Sequence, residues 1–181
     1  MKTIGMLEFT SICRGIEATD VMVKAGDVEL VESKSTCPGK YMVLVTGDVG
    51  AVKSAVAAGE DVGKGYVVDR LVLANAHPQT IKCVQGISQV KFFDALGVME
   101  FFSLTSAVSA ADAAVKSGLV ELIEIRLGMA IGGKAFVTLT GDVGSVKAAI
   151  DAGKRVSMKE GLLLESVVIP SPTKELYDKL L

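Results

Sequence analysis

The chain is one unit written twice. Shifted by 92 positions, residues 3–35 align with 95–127, and 13 of the 33 positions are identical, among them Gly5/Gly97, Glu8/Glu100, Asp20/Asp112 and Lys24/Lys116. After a two-residue insertion the offset becomes 94, and residues 39–60 match 133–154 at 13 of 22 positions. Identity this dense, kept in order, divides the 181 residues into two like domains, 1–90 and 91–181. The segment from Lys91 to Asp94 joins them, and its short, non-Gly/Ser composition predicts two halves in fixed contact.

Periodicity changes in the same order within each copy. Ile4 to Phe9 alternates as a strand, and Cys13 to Ala25 reads as a helix closed by Gly26 as a C-terminal cap. Val28 to Ser33 alternates roughly, and Pro38-Gly39 turns the chain back into Tyr41 to Thr46, which makes a hairpin. A second helix starts at Asp48 with Val49, Val52, Val56 and Gly59 on one face, and Val67 to Leu73 is a last strand before Pro78 and a tail. The second copy repeats this from Leu96 to Pro172. The order β-α-β-β-α-β predicts an α+β fold: two tandem ferredoxin-like domains, each a four-stranded antiparallel sheet covered by helices.

Composition narrows the function classes. Lys+Arg 19 against Asp+Glu 21 leaves a charge of −2, which does not recommend nucleic acid. No apolar stretch reaches the ~20 residues of a membrane helix, and Met1-Lys2-Thr3-Ile4-Gly5 leads into a strand without a secretory core, so the expectation is a cytoplasmic protein with no membrane partner. Half of the residues are apolar but only 5% are aromatic, which suits close packing of small side chains between like subunits. Three cysteines, Cys13, Cys37 and Cys83, have no CxxC spacing and do not form a disulfide framework.

The strand pattern Gly-x-x-Glu, the run Ala110-Ala111-Asp112-Ala113-Ala114-Val115-Lys116-Ser117 and the run Gly141-Asp142-Val143-Gly144-Ser145-Val146-Lys147 resemble the shell domain of bacterial microcompartments (BMC), once per half. The resemblance implies a non-enzymatic structural protein: a homotrimer of pseudohexameric outline that tiles the shell beside other shell proteins, encloses enzymes and lines a central pore. Ser35-Thr36-Cys37-Pro38-Gly39-Lys40 and Asn75-Ala76-His77-Pro78 are similar to a propanediol-utilisation branch of the tandem class that carries an iron–sulfur cluster at its pore. One departure is Ser171 between Pro170 and Pro172, where the family has Arg.

By this resemblance Thr36, Cys37, Pro38, Gly39, Ile131, Gly132 and Gly133 line the pore, and three Cys37 thiols, one per chain, face one axis. Three thiolates suit a 4Fe–4S cluster with an open fourth site; the alternative for Cys37 is an ordinary loop thiol. Lys24 and Lys116, near helix ends, either complement the helix dipole or, as in the family, form the oligomer edge. Asp48 and Asp142 begin helices and are N-caps rather than phosphate sites, because no P-loop or dinucleotide motif follows. His77 lacks a nucleophile partner and is a turn residue; Glu8 and Glu100 are structural. A soluble electron carrier and a small-molecule sensor of the same fold are the competing functions.

Overall fold

The computed structural model describes residues 2–88, 90, 94–157 and 162–180. Lys91 to Phe93 of the joining segment lie outside the described residues. The chain divides into two compact units, one of Met1–Pro78 with Gly128–Gly133, the other of Gln79–Leu127 with Lys134–Leu181.

In the first unit, β1 (Thr3–Phe9), β2 (Val28–Thr36), β3 (Lys40–Gly47) and β4 (Val67–Leu73) form an antiparallel sheet in the order β2-β3-β1-β4. Helices α1 (Ile12–Ala25) and α2 (Val49–Val62) pack on one face. Strand alternation sends Leu7, Phe9, Val43 and Val45 to that face, where they meet Ala18 and Met22 of α1 and Val52, Ala55 and Val56 of α2. Each such Val, Leu, Met or Phe side chain removed from water contributes about 1.5–3 kcal/mol before entropy is subtracted. Gly5 lies on the same face, and a Cβ there would stand 2.6 Å from Val52 Cγ1, so the missing side chain lets α2 close on β1. The alternate residues Ile4, Met6, Glu8, Met42 and Leu44 are buried too, so the central strands are covered on both faces.

The second unit repeats the plan. Strands β5 (Ala95–Phe101), β6 (Val120–Leu127), β7 (Ala135–Gly141) and β8 (Leu163–Ile169) pair antiparallel in the order β6-β7-β5-β8, with α4 (Leu104–Ser117) and α5 (Val143–Ser157) packed together against them. Both sheets are the ferredoxin-like arrangement expected from the periodicity.

Two sequence expectations are corrected, at Pro78 and at Val49, and two further segments take a form that the periodicity left open. The stretch from Pro78 is not a tail but a helix, α3 (Pro78–Val84), held in the second unit: Thr80 Oγ1 donates to Asp112 Oδ1 at 3.3 Å, and Gln79 Oε1 accepts from the Leu122 N–H at 3.1 Å. The C-terminus likewise folds, as α6 (Lys174–Leu180), whose Tyr177 packs on Leu96 and Ile123 and donates its hydroxyl to the Asp94 carbonyl. Gly26 closes α1 as the expected C-terminal cap, with its backbone extended at φ −156° instead of left-handed, and it is glycine because a Cβ would stand 2.6 Å from the Ala51 carbonyl oxygen. Val49 faces out, and Ala55 takes its place beside Val52, Val56 and Gly59 on the inner face of α2.

Candidate functional site

The turn between β2 and β3 carries Cys37. β2 ends at Thr36, β3 begins at Lys40, and three residues cross between them. The tight reversal uses Gly39 at φ +75°, a conformation other residues adopt at a cost. Thr36 is buried, Cys37 half-buried, and Pro38 and Gly39 exposed, so the thiol sits just past the one buried residue at the end of the edge strand β2, where the turn reaches the surface. The turn is anchored from below the strand ends: Lys40 Nζ lies 3.0 Å from Glu8 Oε1, and Glu8 is buried. Burial raises the Glu8 pKa above the usual carboxylate range, while the hydrogen bond and charge of Lys40 oppose the shift.

The loop Gly128–Gly133 comes from the second repeat but belongs to the first compact unit. The Cys37 N–H donates to the Gly128 carbonyl at 2.8 Å. At the other end of the loop, a Cβ on Gly133 would stand 2.8 Å from both the Cys37 carbonyl oxygen and Pro38 Cδ. The seven residues expected at the pore therefore fall in two adjoining segments: Thr36, Cys37, Pro38 and Gly39 in one, Ile131, Gly132 and Gly133 in the other. Sequence reasoning did not pick out Gly128, since a backbone carbonyl leaves no residue-type signal.

The remaining candidates are dispersed. Cys13 is exposed on α1, and Cys83 is buried on α3, where burial pushes its thiol to about 12. Among the described residues no three His, Cys, Asp or Glu side chains gather as a metal-binding group. A single chain thus offers one thiol at the Cys37 turn, which suits a cluster only if further copies supply the other thiols.

Lys24 and Lys116 end equivalent helices but differ in setting. Lys24 pairs with Asp20 at 2.5 Å in the open, whereas Lys116 pairs at 2.5 Å with Asp112, a buried carboxylate that also accepts from Thr80. The expected caps differ as well. Asp142 accepts from the N–H groups of Gly144 and Ser145, both at 3.0 Å, and hydrogen bonding from the Ser145 side chain first, then from these N–H groups, holds its carboxyl below the usual range. Asp48 holds the N-cap position of α2 but its side chain makes no capping bond; Ala51 stands where the second repeat has Ser145. Among the described residues no helix is long and apolar enough to cross a membrane.

Comparison with known proteins adds an independent line. The model of the BMC domain matches twice, at residues 3–76 and 95–172. The bacterial microcompartment shell protein PduT of Citrobacter freundii is 38% identical over 176 residues, spanning 97% of this chain and 96% of its own. The shell protein PduA of Salmonella typhimurium is 44% identical over 80 residues, 44% of this chain and 82% of its own. Among solved structures, a microcompartments protein from Desulfitobacterium hafniense superposes with a TM-score of 0.94 at 49% identity, covering 98% of this chain and 99% of that one. The duplicated sheet order, the match of the domain model in both halves and the full-length relative agree: the chain belongs to the BMC-domain family, in the tandem-domain form of bacterial microcompartment shell protein.

Proposed function

We propose that three copies of this chain form a pseudohexameric homotrimer that tiles a microcompartment shell beside other shell proteins, with encapsulated enzymes as its neighbours inside. Repeats 1–90 and 91–181 supply one domain each, so three chains give six domains around a ring. Thr36 to Gly39 and Ile131 to Gly133 line the central pore, and Lys24 and Lys116 lie along the outer edge where one trimer meets the next. This reading is carried by the duplication of the BMC domain over nearly the whole chain. It makes the protein a structural element rather than an enzyme.

The finer part of the reading concerns Cys37. Its half-exposed thiol at a surface turn, one per chain, supports a role as ligand from each protomer to a 4Fe–4S cluster on the trimer axis. Such a cluster, when bound, supplies one-electron transfer, and its fourth iron is left to an outside ligand. The chain's own contribution is to hold the thiol at the turn, with Lys40 fixed on Glu8 immediately after it.

Electron microscopy of the purified protein tests the tile. Extended sheets or tubes are expected, and Lys24→Ala and Lys116→Ala should shorten or abolish them while leaving the trimer whole. A discrete particle that never associates laterally would contradict the shell role and favour a soluble carrier.

A further inference from the structure

The two segments of the Cys37 site are not equivalent in what they do. The first bears the thiol. The second, Gly128–Gly133, has no cysteine, histidine or carboxylate, yet it touches Cys37 on both sides: Gly128 accepts the Cys37 N–H, and Gly133 packs its bare Cα against the Cys37 carbonyl and the Pro38 ring. The peptide before Cys37 is thus held at its N–H and the peptide after it is packed at its C=O, which leaves φ and ψ of Cys37 little freedom and fixes its Cα–Cβ bond with them. The loop reaches this shape through left-handed backbone at Gly128 (φ +69°), Ala130 (+59°), Gly132 (+65°) and Gly133 (+80°).

We infer that the second repeat's loop is the positioning element for the Cys37 thiol, and that Gly133 is its specificity-determining residue because only a residue without Cβ allows the Cys37–Pro38 segment to seat. The division of labour accounts for the asymmetry of the repeats: one turn keeps the cysteine, and its counterpart has become a backbone cradle. The consequence for metal binding rests on Cys37 being a ligand as proposed above; the positioning itself does not.

Gly132 provides the internal control. It has the same left-handed backbone, but a Cβ there would meet nothing within 4 Å. Gly132→Ala therefore carries the backbone strain of a non-glycine residue alone, whereas Gly133→Ala carries that strain and a collision with Cys37 and Pro38. In a Cys13→Ser background, the full-length iron-free protein is treated with iodoacetamide and labelling of Cys37 is followed by mass spectrometry. Gly133→Ala is expected to change the Cys37 rate several-fold, and Gly132→Ala to leave it near that of the parent, with the assembled mass unchanged in both. Equal rates for the two variants would overturn the positioning role.

Anaerobic reconstitution with ferrous iron and sulfide separates the two readings. If the parent binds iron and Gly133→Ala binds several-fold less, positioning extends to the cluster. If the parent binds none, Cys37 is not a ligand, and the labelling comparison still decides what Gly133 does. Should Gly133→Ala fail to assemble, hydrogen exchange of the parent remains decisive: the Cys37 amide is expected to exchange slowly, and rapid exchange would contradict the cradle.

Discussion

Lys40, the first residue after the Cys37 turn, holds its ammonium 3.0 Å from the buried carboxylate of Glu8 on the neighbouring strand. Burial raises the Glu8 pKa from 4.5 against the pull of Lys40, so the folded chain binds this proton more readily than the unfolded chain. The contribution of Glu8 to stability is then fully present below pH 4.5 and is lost as pH rises through the folded-state value. Urea unfolding across a pH series should show wild type losing stability relative to Glu8→Gln as pH rises through that window. A difference that is flat, or that grows with pH, would show that Lys40 outweighs burial.

Two glycines separate close approach from helix propensity. Gly26→Ala would push a Cβ to 2.6 Å from the Ala51 carbonyl and should cost about 1–3 kcal/mol, as overpacking does. Gly50 is exposed on α2 with nothing within 4 Å of a Cβ, so Gly50→Ala should be neutral or stabilise by up to about 1 kcal/mol. Denaturant midpoints measured side by side check the sign of each.

The caps of α2 and α5 should respond differently despite their matching sequence. Asp142→Ala removes the acceptor for the Gly144 and Ser145 N–H groups and should lower the melting temperature, while Asp48→Ala should leave it nearly unchanged. Hydrogen bonding from Ser145 and then Gly144 depresses the Asp142 pKa below 3.8, so the stabilising effect is present above that pH and fades as pH falls through the folded value. Melting curves at neutral pH and at low pH test both statements.

The three thiols should label in an order set by burial. Cys13 is exposed and reacts first; Cys83, buried and pushed to about 12, stays unlabelled in the native protein near neutral pH. Native labelling followed by denaturation and a second label reads this out. Modification of Cys83 without unfolding would contradict the packing of α3.

Much of this architecture is legible in the sequence because the repeat and the strand alternation reinforce each other. The turn at Cys37-Pro38-Gly39 is equally plain, since Pro-Gly between two alternating runs has few other readings. What escaped has a common cause in tertiary structure. α3 is seven residues long, too short to display a helical period, and is fixed by Thr80 on Asp112 and Gln79 on Leu122, partners more than 30 residues away. α6 depends likewise on Tyr177 reaching Asp94. Gly26 can cap a helix through left-handed backbone or through close approach, and only the Ala51 carbonyl decides. The Gly128 acceptor is a main-chain atom, for which residue type gives no clue.

The central claim is that the chain acts as a trimer in which each protomer brings one Cys37 thiol to a shared axis. Light scattering on anaerobically purified protein, with iron content and visible absorbance measured on the same peak and repeated for Cys37→Ser, tests it most directly. The account predicts a trimer with about one 4Fe–4S cluster for each ring of three thiols and a colourless trimer for Cys37→Ser. A monomer, or iron and sulfide retained undiminished in Cys37→Ser, would contradict it.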